Sequence, residues 1–132
     1  MSAPPITAHF ILYVRDQRAS AEFYQRALGI APRLDVPGMT EFALAETSVL
    51  GLMPEAGIVR LLGDAIADPA FAHGTPRAEL YLLVPDVAAA HARAIEAGAT
   101  ELSPPTKRDW GHEASYLRDP DGHVLAFARV LS

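Results

Sequence analysis

The sequence contains no cysteine in its 132 residues. Disulfide bonds, cysteine nucleophiles and thiolate zinc sites are therefore excluded. Basic residues are also few, because 11 Lys and Arg stand against 16 Asp and Glu, giving a formal net charge of −5. A nucleic-acid surface would need a basic stripe, so that class of function is not expected. The apolar runs, such as Leu80–Val84, are far too short to span a membrane.

The first eight residues, MSAPPITA, lack the basic region and following apolar segment of a signal peptide. We therefore predict a cytoplasmic protein that does not associate with a membrane. Half of the residues are hydrophobic and 20% are charged, which is an ordinary globular composition. The length predicts one compact domain over residues 1–132.

Two similar stretches, HFILYVRD at His9–Asp16 and ELYLLVPD at Glu79–Asp86, indicate an internal repeat. Each reads as a strand that ends at an Asp capable of capping a following helix. The first strand is rich in apolar and aromatic residues, which suggests burial on both faces. Asp119-Pro120-Asp121-Gly122 predicts a hairpin turn between the last two strands.

Each half is thus predicted to be a βαβββ module. Module 1 covers about 5–54, a connection rich in Pro and Gly covers about 55–77, and module 2 covers about 78–132. The predicted strands are 6–14, 32–36, 40–45 and 48–53 in module 1, and 78–84, 99–102, 113–118 and 123–130 in module 2. The predicted helices run from Gln17 to a stop at Gly29, and over VAAAHARAIEA to a stop at Gly98.

The segments HFILYVRDQRASAEFYQRALGI and DPDGHVLAFARV resemble the hallmark segments of the vicinal oxygen chelate superfamily. This superfamily includes glyoxalase I, the bleomycin and fosfomycin resistance proteins and extradiol dioxygenases. The resemblance covers nearly the whole chain. It implies an α+β fold in which two βαβββ modules form a half-open, eight-stranded, barrel-like cleft, and it implies a homodimer.

In enzymes of this superfamily, metal ligands come from the first and last strands of each module. The matching first-strand positions here are His9 and Glu79, and both could bind a divalent metal. The last strands differ, because aligning VLGL with VLAF places Gly51 and Ala126 where a carboxylate is usual. We therefore predict that the protein has no metal cofactor. We also predict that Gly51 and Ala126 leave space for the body of a ligand.

The roles of His9 and Glu79 stay open at this point. They could form a structural hydrogen-bonded pair, act as catalytic acid and base, or bind a metal. Because side chains alternate along a strand, the cleft-facing set follows from these two residues. The predicted ligand-binding residues are His9, Ile11, Tyr13, Met53, Glu79, Tyr81, Leu83 and Ala126.

Trp110, in KRDWGHEASY, is a ninth predicted ligand-binding residue. It is the only tryptophan and lies in the loop before the final strand pair. Antibiotic-binding members of the superfamily resemble this stretch, with a Trp-Gly in the same region. Trp110 could also simply pack the loop. Of the histidines nearby or elsewhere, His112 adjoins Trp110, and His91 on the alanine-rich helix is expected at the surface.

These patterns favour a metal-free binding protein resembling the bleomycin resistance proteins, which would hold a hydrophobic or aromatic small molecule. The alternative is a metal-dependent lyase or isomerase resembling glyoxalase I, with His9 and Glu79 as ligands of a divalent metal. The absence of a ligand residue at positions 51 and 126 separates the two hypotheses.

Overall fold

The computed structural model describes residues 6–132 of the chain. It confirms an α+β fold in which the order β-α-β-β-β occurs twice. The strands are β1 (Ala8–Val14), β2 (Leu34–Val36), β3 (Met39–Ala45), β4 (Ser48–Pro54), β5 (Glu79–Leu83), β6 (Thr100–Lys107), β7 (His112–Arg118) and β8 (Val124–Val130). The helices are α1 (Gln17–Leu28), α2 (Glu55–Leu62) and α3 (Val87–Ala97), with short 3-10 turns at Gly63–Ala65 and Pro69–Ala72.

The strands form two four-stranded sheets with the same connectivity, in the order β1-β4-β3-β2 and β5-β8-β7-β6. In each sheet the first strand runs parallel to the last strand of its module, and the other pairs are antiparallel. Ile11 lies beside Gly51 in the first sheet, and Tyr81 lies beside Ala126 in the second. The predicted equivalence of positions 51 and 126 therefore agrees with the register.

The helix ends follow from the residues predicted to form them. The carboxylates of Asp16 and Asp86 accept hydrogen bonds from the backbone N–H groups of Ala19 and Ala89, each at 3.0 Å. These bonds satisfy donors that the first turn of a helix leaves unpaired. Gly98 ends α3 in the left-handed region at φ 118°, which suits a residue without a Cβ.

The contacts divide the chain into two compact units. The first contains residues up to Ala21 together with Ile30–Phe71, and the second contains Glu22–Gly29 together with Ala72–Ser132. The first unit holds sheet β1-β4-β3-β2 and helix α2, and the second holds sheet β5-β8-β7-β6 and helix α3. None of the helices in residues 6–132 combines the length and the apolar character that a membrane crossing requires.

The Asp119-Pro120-Asp121-Gly122 turn lies between β7 and β8, as predicted. The Asp119 carboxylate is buried and accepts hydrogen bonds from the backbone N–H groups of Asp121 and His123, each at 2.9 Å. It also accepts a 2.5 Å hydrogen bond from the hydroxyl of Tyr24, a fully buried residue in the second half of α1. The Tyr24–Asp119 hydrogen bond thus connects the turn between β7 and β8 to helix α1.

Four local expectations differ from the structure. The connection contains a helix, α2, where no element was expected, and β6 continues through Pro104 and Pro105 to Lys107 rather than ending near 102. Prolines are tolerated there because β6 is an outer strand and its register shifts at two places. Strand β1, expected to be buried on both faces, leaves Phe10 56% exposed because it is an outer strand.

His91 is the fourth difference. It is buried rather than at the surface, because it shares the inner side of α3 with Val87, Ala90 and Ala94. Its Nε2 atom lies 2.7 Å from a carboxylate oxygen of Glu101. This contact gives Nε2 a polar partner, while Nδ1 of the buried ring has none among the described residues.

Candidate functional site

One face of the second sheet carries a row of polar and aromatic side chains. Tyr81 on β5, Ala126 on β8 and Tyr116 on β7 are neighbours in register, and Ser103 on β6 pairs with Tyr116. Partners in register lie on the same face of a sheet, so these four residues share one face. Alternation along β5, β7 and β8 adds other residues of this face, which are Glu79, Leu83, Val124, Ala128, Val130, His112, Ala114 and Arg118.

Three residues at one end of this face form a connected group, which we call the aromatic cluster: Tyr81, Trp110 and His112. The indole Nε1–H of Trp110 donates a hydrogen bond to the Tyr81 hydroxyl at 3.1 Å. The Tyr81 hydroxyl lies 2.7 Å from Nδ1 of His112. The Tyr81 and His112 rings are stacked, with centroids 5.8 Å apart and an angle of 28° between their planes.

Trp110 reaches the cluster from a tight turn between β6 and β7. The backbone N–H of Arg108 bonds the carbonyl of His112 at 2.7 Å, and Gly111 has a left-handed φ of 87° that a glycine adopts without strain. The N–H of Leu131 in turn bonds the Gly111 carbonyl at 2.9 Å. Although the turn and the indole are held in place, Trp110 remains 52% exposed.

Beside the cluster, Tyr116 and Arg108 form a cation–π contact. The guanidinium carbon lies 5.2 Å from the ring centroid, within the range at which such contacts are attractive. Arg108 is fixed by hydrogen bonds from Nη2 to Ser103 Oγ at 2.7 Å and to the Ala114 carbonyl at 3.0 Å. Both acceptors are neutral and Nε of Arg108 has no hydrogen-bond partner, so the guanidinium keeps its positive charge on this face.

The Tyr116 phenol has a raised pKa. Burial is the largest cause, and the negative charge of Glu79 and the neighbouring Tyr81 raise the pKa further, while the Arg108 guanidinium opposes the shift. Because the ordinary pKa of tyrosine is already about 10, the Tyr116 hydroxyl stays neutral at physiological pH. This face therefore offers a neutral phenol, the carboxylate of Glu79 and the guanidinium groups of Arg108 and Arg118.

In the first unit, His9 has a partner that the sequence did not suggest. Its Nδ1 atom lies 3.5 Å from an oxygen of Glu41, and both Nε and Nη2 of Arg33 contact the other Glu41 oxygen, at 2.9 and 2.8 Å. Glu41 and His9 lie on the same face because Glu41 pairs with Gly51, which pairs with Ile11. The Glu41 carboxylate is thus occupied by a guanidinium.

The space expected at Gly51 is already filled. A Cβ at this position would lie 3.1 Å from the Ile11 side chain and 3.1 Å from the sulfur of Met39. These side chains occupy the volume that a larger residue at 51 would need. Ala126 is likewise fully buried in the chain, between Tyr81 and Tyr116 in register. Within the single chain neither position borders open volume, and their place in a ligand cleft stays a prediction.

The predicted ligand-binding residues fall into two groups. His9, Ile11, Tyr13 and Met53 share one face of the first sheet, where Ile11 is 43% exposed and Tyr13 and Met53 are half-buried. Glu79, Tyr81, Leu83 and Ala126 share one face of the second sheet, where Leu83 is 62% exposed. Trp110 joins the second group through its bond to Tyr81.

The donor set does not fit a metal ion. Within residues 6–132, no three His, Asp or Glu side chains lie close enough together to hold one. The carboxylate nearest His9 is neutralised by Arg33, whose positive charge would repel a cation. Neither Gly51 nor Ala126 has a donor atom in its side chain. A catalytic zinc ion is normally held by three protein ligands, and ions such as Mg²⁺ and Ca²⁺ require several oxygen donors.

A separate pocket of about 460 Å³ lies in the first unit beside α2. Two arginines and two acidic residues line it together with small apolar side chains, so its charges balance. Its lining residues are Arg15, Glu55, Ala56, Val59, Arg60, Asp68 and Ala70. No sequence pattern predicted this pocket, because α2 itself was not predicted.

His112 is the functional candidate that the sequence analysis missed. It was noted only as a neighbour of Trp110, and its partner Tyr81 is 31 residues away in the sequence. Strand alternation over His112, Ala114 and Tyr116 is the signal that would have placed it on the same face as Tyr81. That step needs the β5-β8-β7 register, which only the structure supplies.

The sequence pattern of the Glyoxalase/Bleomycin resistance protein/Dioxygenase superfamily matches residues 6–127 of the chain. The protein belongs to this superfamily, as implied by the resemblance of its first strand–helix segment and of its DPDGHVLAFARV segment. An uncharacterized protein of Mycobacterium bovis, Mb0911c, is 28% identical over 123 residues, covering 91% of this chain and 79% of that protein.

Two solved structures are similar across most of their length. A glyoxalase-related enzyme from Fulvimarina pelagi is 27% identical, with a TM-score of 0.78 over 92% of this chain and 86% of that one. TnmS3, an antibiotic binding protein from Streptomyces sp. CB03234, is 25% identical, with a TM-score of 0.70 over 98% of both chains. This chain is thus similar both to a glyoxalase-related enzyme and to an antibiotic binding protein.

Proposed function

We propose that the protein binds a planar aromatic or otherwise hydrophobic small molecule without a metal ion, and that the aromatic cluster forms part of its binding surface. The observation that carries this proposal is Trp110, an indole that is 52% exposed yet fixed by its hydrogen bond to Tyr81. An exposed aromatic ring that is already ordered loses little conformational entropy when a ligand stacks on it.

The surroundings of the cluster support the same function. Leu83 and Val130 lie on its face of the sheet and are 62% and 65% exposed, so apolar surface adjoins the stacked rings. Ligand sites combine mostly apolar walls with a few polar groups that orient the guest. The similarity to an antibiotic binding protein agrees with this class of function.

The other predicted contacts belong to the same proposal. His9, Ile11, Tyr13 and Met53 on the first sheet, and Glu79, Leu83 and Ala126 on the second, stay predicted ligand contacts. The homodimer also stays a prediction. Metal-dependent lyase or isomerase chemistry is the less favoured candidate, because the donor set around His9 and Glu79 does not fit a metal ion.

Trp110→Ala should weaken binding of a planar aromatic guest about tenfold. Stacking contributes about 0.5–1.5 kcal/mol per pair in addition to buried area, and each 1.4 kcal/mol corresponds to a factor of ten in affinity. Quenching of the single tryptophan by fluorenone and related compounds of two to four rings would detect binding to the parent protein. Because Trp110→Ala has lost its fluorophore, calorimetry would be used to compare its affinity with that of the parent protein.

Two further variants make this comparison specific. Trp110→Phe keeps an aromatic surface and should retain most of the affinity. Leu61→Ala removes an apolar side chain that is 70% exposed on α2, and should change nothing. If Trp110→Ala instead lowers the melting temperature strongly and leaves binding intact, the indole only packs the turn and the proposal is wrong.

The purified protein should contain no stoichiometric transition metal when no chelator is used. The reason is the missing donors at Gly51 and Ala126 and the neutralised Glu41 carboxylate. Elemental analysis of the parent, His9→Ala and Ala126→Glu proteins would check this. Ala126→Glu should bind more metal than the parent, because it restores an anionic ligand. One zinc, nickel, manganese or iron per parent chain, lost in His9→Ala, would establish the metal-dependent alternative.

A further inference from the structure

The hydrogen bonds of the aromatic cluster have a fixed direction. The Trp110 indole N–H can only donate, so the Tyr81 oxygen accepts this bond. Tyr81 has a single hydroxyl hydrogen, and His112 Nδ1 is the other partner of this oxygen among the described residues. Donation to Nδ1 is the arrangement that gives the Tyr81 hydrogen an acceptor among the described residues. Tyr81 therefore donates to His112.

It follows that Nδ1 of His112 carries no hydrogen. A neutral imidazole then carries its hydrogen on Nε2. In the part of the chain that the structure describes, Nε2 of His112 is not among the buried polar atoms that lack a partner, and the side-chain contacts of His112 with Tyr81 involve Nδ1 and the ring. The ring thus has one committed nitrogen and one N–H donor open to solvent or to a bound molecule.

The groups around this donor define what it can recognise. Val130 pairs in register with His112 and is 65% exposed, and the half-exposed Trp110 belongs to the same cluster. Arg108 beside the cluster is bonded to neutral acceptors, and at the far end of the face Glu79 and Arg118 lie on either side of Val124 in register. A carbonyl oxygen of a stacked guest would meet the N–H donor of His112.

We propose that His112, held as the Nε2–H tautomer by Tyr81, is the specificity-determining donor of the site, and that the ligand is a planar aromatic compound with a carbonyl oxygen. This inference rests on the proposed function, because it assigns a ligand class to the same binding surface. His112 selects the guest and Tyr81 acts as a positioning residue, since it reaches the guest only through the imidazole.

The tautomer can be tested without any ligand. In protein labelled with ¹⁵N-histidine, the His112 signals should show a bare Nδ1 and a protonated Nε2, assigned by their loss in His112→Phe. Tyr81→Phe should shift the Nδ1 signal and allow the other tautomer to appear, while the signals of His91 stay unchanged. A hydrogen on Nδ1 of His112 in the parent protein would overturn the inference.

Binding of a matched pair of compounds tests the ligand class. Fluorenone and fluorene have nearly the same planar shape, and only fluorenone carries a carbonyl oxygen. The parent protein should bind fluorenone about tenfold more tightly, which is the factor that corresponds to 1.4 kcal/mol. In His112→Phe, which keeps the stacked ring, the preference should disappear, and in Tyr81→Phe it should fall.

The outcomes distinguish this inference from the proposed function. Equal binding of both compounds by the parent would leave aromatic binding in place and overturn the role of His112. A preference for fluorenone that persists in His112→Phe would also overturn it. If the parent binds neither compound nor any other member of the aromatic panel, the proposed function fails, and the ligand class fails with it whatever tautomer the ¹⁵N spectrum shows.

Discussion

Asp119→Ala is expected to lower the free energy of unfolding by about 4 kcal/mol. The substitution leaves the hydroxyl of Tyr24 and the backbone N–H groups of Asp121 and His123 without their acceptor. Tyr24 is fully buried, so no water replaces the carboxylate at its hydroxyl. An unsatisfied buried donor costs about 1–3 kcal/mol. Chemical denaturation of the parent and the variant measures the loss directly.

Two further variants test whether this loss of stability comes from the hydrogen bonds of Asp119. Tyr24→Phe removes one of the three hydrogen bonds and should cost about 1.5 kcal/mol. Asp64→Ala removes an exposed carboxylate in the turn after α2 and should change stability by less than about 0.5 kcal/mol. If Asp119→Ala is no more harmful than Asp64→Ala, the carboxylate does not hold the turn to the helix.

The Tyr24–Asp119 pair also predicts how the stability of the protein changes at alkaline pH. Burial raises the pKa of Tyr24 well above its ordinary value, and the charge of Asp119 and its hydrogen bond raise the pKa further. In the unfolded chain Tyr24 ionises near pH 10. Its contribution to stability is therefore complete below about pH 10 and is lost as the pH rises toward the higher pKa of the folded state. Tyr24→Phe should lose less stability than the parent over that range.

Gly122→Ala is expected to cost about 3 kcal/mol, the second largest effect. A Cβ at Gly122 would lie 2.7 Å from both the Cα and the carbonyl oxygen of Gly74, which are backbone atoms and cannot rotate away. Gly122 also has a φ of +95°, a conformation that alanine adopts only with strain. The steric clash and the backbone strain both act on the turn that contains Asp119. Thermal and chemical denaturation would measure the loss.

Gly38 provides a matched control for the strain alone. Its φ is also +95°, but a Cβ there would meet nothing within 4 Å. Gly38→Ala should therefore cost only about 1–2 kcal/mol. The difference between the two variants measures the close approach of Gly74 and Gly122. Equal losses would mean that the loop containing Gly74 moves aside without cost.

Much of the fold could be predicted because its signals are local. The caps at Asp16 and Asp86 and the hairpin turn at Asp119–Gly122 each depend on residues a few positions apart. Helix α2 gave no such signal, since Gly57 interrupts it and Leu61, at 70% exposed, does not continue an apolar stripe. Pro104 and Pro105 likewise concealed the length of β6, because a strand can contain prolines at an outer edge.

The candidate site was only half predictable for a different reason. Tyr81 and Trp110 were selected by residue type, but the partner that joins them, His112, is defined by the register of three strands. In the same way, Glu41 reaches His9 across β4, which separates them in the sheet. Such pairs depend on long-range packing, and hydrophobic periodicity contains no information about them.

The irregular outer strand β6 has a consequence for colloidal behaviour. An outer strand normally offers a regular row of N–H and C=O groups on which a foreign strand can polymerise. In β6, Pro104 and Pro105 lack the N–H, and two register shifts disrupt the repeat. The corresponding outer strand of the first sheet, β2, is only three residues long. The margins at β2 and β6 are therefore poorer templates for amyloid-like growth than the more regular outer strands β1 and β5, and Pro104→Val with Pro105→Thr would convert β6 into a better template.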